Sequence, residues 1–189
     1  MKWFALLGGV GLLAGAGCGP QGSIPQGIQV HFSPGGGPTE AVVEALGQAT
    51  NTVLVQAYSF TSAPIAEALV EARRRGVKTR VILDGSQRTE KYSEADFLAH
   101  HAIPTLIDTH HAIAHNKIMI IDGCVVITGS FNFTQAAEEK NAENLLVIND
   151  PSLAEQYTRN WQAHEAHSAP YERGQPPEER SARREKLRY

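Results

Sequence analysis

The sequence predicts an α/β domain in which a mixed, mostly parallel β-sheet is flanked by helices on both faces. Three observations carry this. The 189 residues are 42% hydrophobic and 20% charged, the range of one globular domain with a sizeable core and outside that of disordered or fibrous chains. From Ile28 onward, short apolar and β-branched runs alternate with stretches of helical period, as in strand–helix–strand units. Finally, Asp122-Gly123 between two four-residue apolar runs, 118–121 and 124–127, is a strong signal for a two-residue hairpin turn.

The chain opens with Lys2 and a nearly unbroken apolar and glycine run, residues 3–17, shorter than the roughly 20 residues a membrane-spanning helix needs. It reads as a secretory signal over residues 1–17, with Ala14-Gly15-Ala16 as the small-residue cleavage site. The alternative is a lipoprotein signal ending before Cys18, which would anchor the mature chain to a membrane, although Gly15 stands where a branched apolar residue is usual. Export to the periplasm is the expectation, with a lipid-anchored or secreted protein as the alternatives. Once Cys18 is removed or lipidated, Cys124 stands alone as a small buried hydrophobe.

A domain is expected over residues 24–167. Residues 28–32 read as a strand, stopped by the Pro/Gly-rich segment 33–38. A helix follows from about Thr39, with Val42, Val43 and Leu46 on one stripe. Residues 52–60 form a β-branched and aromatic strand. Ser62 can cap the next helix, with Pro64 in its first turn and Ile65, Leu69 and Ala72 inward. Strands over 77–83 and 104–107 bracket a short helix through Phe97 and Leu98. Thr134 can cap a further helix, and the last strand covers 143–148. From 168 to 189 prolines and charges replace apolar residues, and a disordered, charged tail is expected.

Composition narrows function only by exclusion. Lys plus Arg number 17 against 20 Asp plus Glu, a net charge of −3, so no broad basic field exists and any polyanion would be held locally. Two cysteines exclude a disulfide scaffold and a four-cysteine zinc site.

The chemical signal lies in residues 115–148. With a two-residue turn at Asp122-Gly123, Lys117 falls opposite Thr128 and His115 opposite Ser130. Strand period then puts His115, Lys117, Ser130 and Asn132 on one face. An imidazole, an ammonium, a hydroxyl and an amide together bind phosphate and supply a nucleophile or base. Glu143 opens the last strand, where its carboxylate can orient the His115 ring. Asp122 lies about 20 Å along the strand from His115 and reads as structural. His110, His111 and His115 admit a metal-cluster reading, but Lys117 beside them would repel a cation and no carboxylate pair is near. No metal is expected. His164 and His167 read as structural beside Trp161, Tyr58 and Phe60 as core, and Asp84 as a cap or turn residue.

The pattern HxKxxxxD (His115, Lys117, Asp122 with Gly123 after it) followed by GSxN (Gly129, Ser130, Asn132) resembles the phospholipase D superfamily. The segments VHFSPGGG, VQAYSFTSAPIA, HAIAHNKIMIIDG and EKNAENLLVI extend the resemblance to its small bacterial endonucleases over about residues 28–167, and more distantly to mitochondrial nucleases. The resemblance implies phosphodiester cleavage through a covalent phosphohistidine, with His115, Lys117, Asn132 and Glu143 catalytic and with Lys117, Ser130 and Asn132 holding the phosphate. It implies no cofactor. A second histidine must protonate the leaving oxygen, and none of the other seven has a lysine two positions on. With one motif per chain, a homodimer sharing one active site is expected. The leading reading is a non-specific endonuclease of DNA, and of RNA as a further substrate. A phospholipase D acting on phosphatidylcholine-like lipids and a catalytically dead nucleic-acid-binding protein are the alternatives.

Overall fold

The computed structural model describes residues 27–172. The leader expected over 1–17 and Cys18 lie outside these residues, as does most of the expected tail.

Among the described residues, eight strands and five α-helices follow in the order β1 (Gly27–Ser33), α1 (Pro38–Gln48), β2 (Thr52–Ala57), α2 (Ala63–Arg74), β3 (Lys78–Asp84), α3 (Ala95–His100), β4 (Thr105–Asp108), β5 (Lys117–Ile121), β6 (Val125–Gly129), α4 (Gln135–Glu139), β7 (Glu143–Asn149), α5 (Pro151–His167) and β8 (Ala169–Pro170). They form one sheet ordered β1-β7-β6-β5-β2-β3-β4-β8.

The mixed sheet with helices on both faces is as expected, but "mostly parallel" is corrected. Only β2–β3 and β3–β4 pair parallel, and the other five neighbouring pairs are antiparallel. The helical crossovers do keep β1, β2, β3 and β4 running the same way. What separates β1 from β2 is the insertion of β5, β6 and β7 between them. The β5–β6 link is a tight turn and the β6–β7 link contains only the five-residue α4, too short for a parallel crossover, so these strands return antiparallel.

Alternation divides the core between two layers. Val53, Val55, Met119, Ile121 and Ile127 face α1 and α2, packing with Leu46, Ile65 and Leu69. Ile118, Ile120 and Val126 face α5, where they meet Ala154 and Trp161. Trp161 Nε1 donates to the carbonyl of Val55 at 2.9 Å, fastening α5 to the central strand.

Two local expectations change. Ser62 occupies the N-cap position of α2 without a side-chain capping bond. Residues 168–172, assigned by composition to the tail, lie against the domain: β8 pairs with β4, and Tyr171 N donates to Thr105 O at 2.8 Å. Cys124 is buried, as expected.

Candidate active site

Antiparallel insertion brings the end of β2, the start of β5, the end of β6 and the start of β7 to one edge of the sheet. That edge also holds the carboxyl ends of the parallel strands, where open α/β sheets form ligand crevices. A cleft of about 420 Å³ opens there, lined by His115, Lys117, Gly129, Ser130, Asn132 and Glu143. All five chemically active side chains expected from the sequence converge on it.

They converge by a different route from the one expected. Asp122 and Gly123 both have positive φ (53° and 66°), as a primed hairpin turn requires, and Cys124 N closes it on Ile121 O at 3.0 Å. Cys124 is then an extra residue, since the ladder pairs Ile121 with Val125 and Met119 with Ile127. The register is thus one residue off the expected one, and Lys117 does not face Thr128. The ladder ends at Met119 and Ile127, so His115, Ser130 and Asn132 lie beyond it, where strict alternation no longer governs them.

A second irregularity completes the cleft. Gly129 has φ 147°, and a Cβ there would sit 2.2 Å from the carbonyl oxygen of Asn144. Without that side chain, Ser130 N and Phe131 N both donate to Asn144 O, at 3.0 and 3.2 Å, and Asn144 N donates back to Ser130 Oγ at 3.0 Å. Ser130 Oγ keeps its own proton for an anion in the cleft. Gly129→Ala is expected to cost about 1–3 kcal/mol of stability and to lower activity roughly 10- to 100-fold by displacing Ser130 and Asn132, checked by thermal denaturation beside steady-state kinetics.

The His115 ring is exposed, whereas Lys117 is only 7% exposed. Lys117 Nζ donates to the carbonyl of His115 at 2.8 Å and lies 3.1 Å from its Nδ1. Burial pushes the lysine below its ordinary pKa, partly offset by the nearby Glu143 carboxylate. Glu143 accepts from Asn141 Nδ2 at 3.1 Å, and among the described residues no hydrogen bond joins it to His115. The expectation that Glu143 holds the imidazole is therefore corrected for this state of the chain: Lys117 occupies Nδ1. Asn132 Oδ1 is buried in the cleft wall with no hydrogen-bond partner among the described residues.

Tyr58 was missed by sequence reasoning. Its ring centroid lies 4.5 Å from that of His115, and Lys117 Nζ sits 5.2 Å from its centre, so it buttresses both groups. No pattern marked it, because Tyr58 follows β2 directly and Phe60, expected as core like it, is fully buried. Asp84 caps the turn after β3 through Ser86 N, and its Oδ2 also accepts from Ala114 N at 2.7 Å, pinning the residue before His115. Thr134 caps α4 as expected, accepting from Ala137 N at 3.1 Å.

Asp122 lies at the far end of the hairpin. It accepts hydrogen bonds at 2.8 Å from the backbone amides of Thr50, Asn51 and Thr52 and from the Thr50 hydroxyl, joining the hairpin turn to the start of β2. The histidines group differently from the expectation: His111, His164 and His167 surround Asp108, apart from His115.

Residues 42–164 match the family described as cardiolipin synthase, PLD-like domain. The chain is 44% identical to a phospholipase D of Rickettsia typhi over 134 residues, covering 71% of this chain and 66% of that protein. It is 32% identical to a mitochondrial cardiolipin hydrolase of Chlamydomonas reinhardtii over 123 residues, covering 63% of this chain and 55% of that one. It thus spans about two thirds of the rickettsial protein's length and little more than half of the algal one's. The crystal structure of the phospholipase D family member Nuc from Salmonella typhimurium superposes with TM-score 0.74 at 39% identity, covering 76% of this chain and 97% of Nuc. With the motif, the fold and the cleft in agreement, the chain belongs to the phospholipase D-like superfamily of phosphodiesterases.

Proposed function

We propose that this protein is an endonuclease that hydrolyses nucleic-acid phosphodiesters without a catalytic metal, through a phosphohistidine on His115, in a homodimer that shares one active site. The observation that carries this reading is the cleft itself. One exposed imidazole, one buried ammonium, a hydroxyl, an amide and a carboxylate line it, and among the described residues no second imidazole does.

While the Lys117 ammonium donates to Nδ1, the His115 ring carries its proton on Nε2 and has no lone pair there. A phosphate entering the cleft draws Lys117 Nζ to its non-bridging oxygens, so that Nδ1 can carry the proton and Nε2 the lone pair. The Glu143 carboxylate is the acceptor at hand for that Nδ1 proton. Nε2 then attacks phosphorus, the bond from phosphorus to the leaving oxygen breaks, and the His115 of a second copy protonates that oxygen. The same second ring next takes a proton from water, whose oxygen displaces Nε2 from phosphorus. Lys117 and Asn132 offset the charge that builds on the phosphoryl oxygens.

The nuclease reading draws on the likeness to Nuc over nearly all of that protein and on a cleft whose lining is polar apart from one glycine. A phospholipase D reading draws on the names of the rickettsial relatives. Plasmid nicking in excess EDTA, beside choline release from phosphatidylcholine vesicles, separates them. Nicking that survives EDTA and weakens steeply with salt is expected. Choline release without nicking would move the protein to the lipid reading, and neither activity would leave the catalytically dead binding protein. Export, to the periplasm or as an anchored lipoprotein through Cys18, is proposed from the leader sequence alone. Globomycin sensitivity of its processing distinguishes the two routes.

A further inference from the structure

Away from the cleft, β4 ends in a carboxylate surrounded by imidazoles. Asp108 Oδ2 lies 3.1 Å from His111 Nδ1, 2.8 Å from His164 Nδ1 and 3.2 Å from His167 Nε2, and the Asp108 side chain is fully buried. The four donor atoms all fall within 4.8 Å of one another. In a tetrahedral zinc site with ligands at about 2.0–2.1 Å, donor atoms stand roughly 3.4 Å apart, so these side chains are already near the spacing a metal would impose.

Hydrogen bonding alone accounts poorly for the arrangement. Three imidazole nitrogens lie nearest a single carboxylate oxygen, His111 Nδ1 being also 3.4 Å from Oδ1, which accepts from His110 N at 2.9 Å. One oxygen has two lone pairs, and three neighbouring rings are held there with centroids 4.9–5.3 Å apart. A shared cation relieves this, because each nitrogen then turns its lone pair, and not a proton, toward the centre.

We propose that Asp108, His111, His164 and His167 form a structural zinc site that clamps the end of α5 to the end of β4. The ligands come in two chelating pairs, Asp108 with His111 three residues on, and His164 with His167 one helical turn apart. Three imidazoles and one carboxylate suit zinc and not magnesium or calcium, which prefer oxygen throughout. Four protein donors leave no open position, so the metal holds structure and activates no water. His111 is 43% exposed and His167 28% exposed, which leaves a path for loading. His110 stacks on His167 at 4.6 Å but is outside the donor set.

The clamp bears on the cleft through the chain. His111 lies in the connection from β4 to β5 that runs, by way of Ala114 on Asp84, into His115. Residues 168–172, which follow His167, pack on β4, so the same metal secures the far edge of the sheet. The metal-free expectation from the sequence is thereby confined to the catalytic cleft.

The test uses the full chain without a histidine tag, loaded with zinc alone, dialysed against metal-free buffer and measured by elemental analysis and thermal denaturation. One zinc per chain is expected to be retained, with the melting temperature raised by about 5 °C or more over the chelator-stripped chain. Cobalt in its place should give the intense visible absorption of a tetrahedral site. His111→Ala and His164→Gln should each lose the retained metal, whereas His110→Ala should keep it. Loss of zinc on dialysis from the folded parent chain would overturn the proposal, as would equal retention by His111→Ala. Neither readout depends on the nuclease assay, so this proposal and the functional one fail separately.

Discussion

Replacing His115 with alanine lowers phosphodiester turnover by about 10⁴-fold or more and leaves the fold, followed by circular dichroism and melting temperature, as it was. The ring is exposed, so its removal creates no buried cavity and the stability effect stays within about 0.5 kcal/mol. The chemical loss has no substitute nearby. His110, His111, His164 and His167 are grouped around Asp108, and no other imidazole lines the cleft. Removing a nucleophile from a set that acts together typically costs as much as removing the set. Single-turnover cleavage measures the effect without interference from product release, and retention of more than a tenth of the parent rate would refute the nucleophilic role. Glu143→Gln supplies a graded comparison. It keeps the shape of the cleft and an accepting oxygen but removes the carboxylate charge that supports a proton on Nδ1, so it should lower turnover while leaving binding of a non-cleavable oligonucleotide near the parent value.

The second large effect falls on stability. Asp122→Ala removes the acceptor for three backbone amides and one hydroxyl at once, and is expected to cost about 3 kcal/mol and to lower the melting temperature by roughly 6–12 °C. Burial pushes the Asp122 pKa up, but the hydrogen bonds from Thr52, Thr50 and Asn51 outweigh it and hold the carboxyl below its ordinary value. Between that depressed folded value and the ordinary carboxylate range the unfolded chain binds the proton and the folded chain does not. Stability therefore rises with pH through this window. The contribution is complete above about pH 4–5 and fades as pH falls through the folded value. Denaturant titrations of the parent and Asp122→Asn should differ by a constant amount near neutrality and converge in acid. A gap that is unchanged down to pH 2.5 would show that the amide bonds do not depend on the carboxylate charge.

The cleft was more legible in the sequence than the sheet that builds it. His115, Lys117, Ser130, Asn132 and Glu143 could be assigned from spacing and motif because their chemistry is local to two turns of chain. The sheet order was not legible, since periodicity reports that a segment is a strand but not which strand lies beside it. The insertion of β5, β6 and β7 between β1 and β2 is a tertiary choice that no local pattern records. The hairpin register failed for a smaller reason. Asp122-Gly123 does form the turn, but Cys124 bulges after it, and a single extra residue shifts the whole ladder. Tyr58 and the Asp108 cluster escaped notice because each depends on contacts across the chain. His164 and Asp108 are 56 residues apart, and nothing near either one announces the other.

The exposure of His115 at an open sheet edge also has a genetic consequence. In the proposed pair each chain contributes one of two rings that act in a single reaction. A chain lacking its ring, but folding and pairing normally, would therefore disable the intact copy it meets. When intact and His115→Ala chains assemble at random, activity should follow the square of the intact fraction, leaving about a quarter in an equal mixture. A loss-of-function allele of this kind would act dominantly over the wild type.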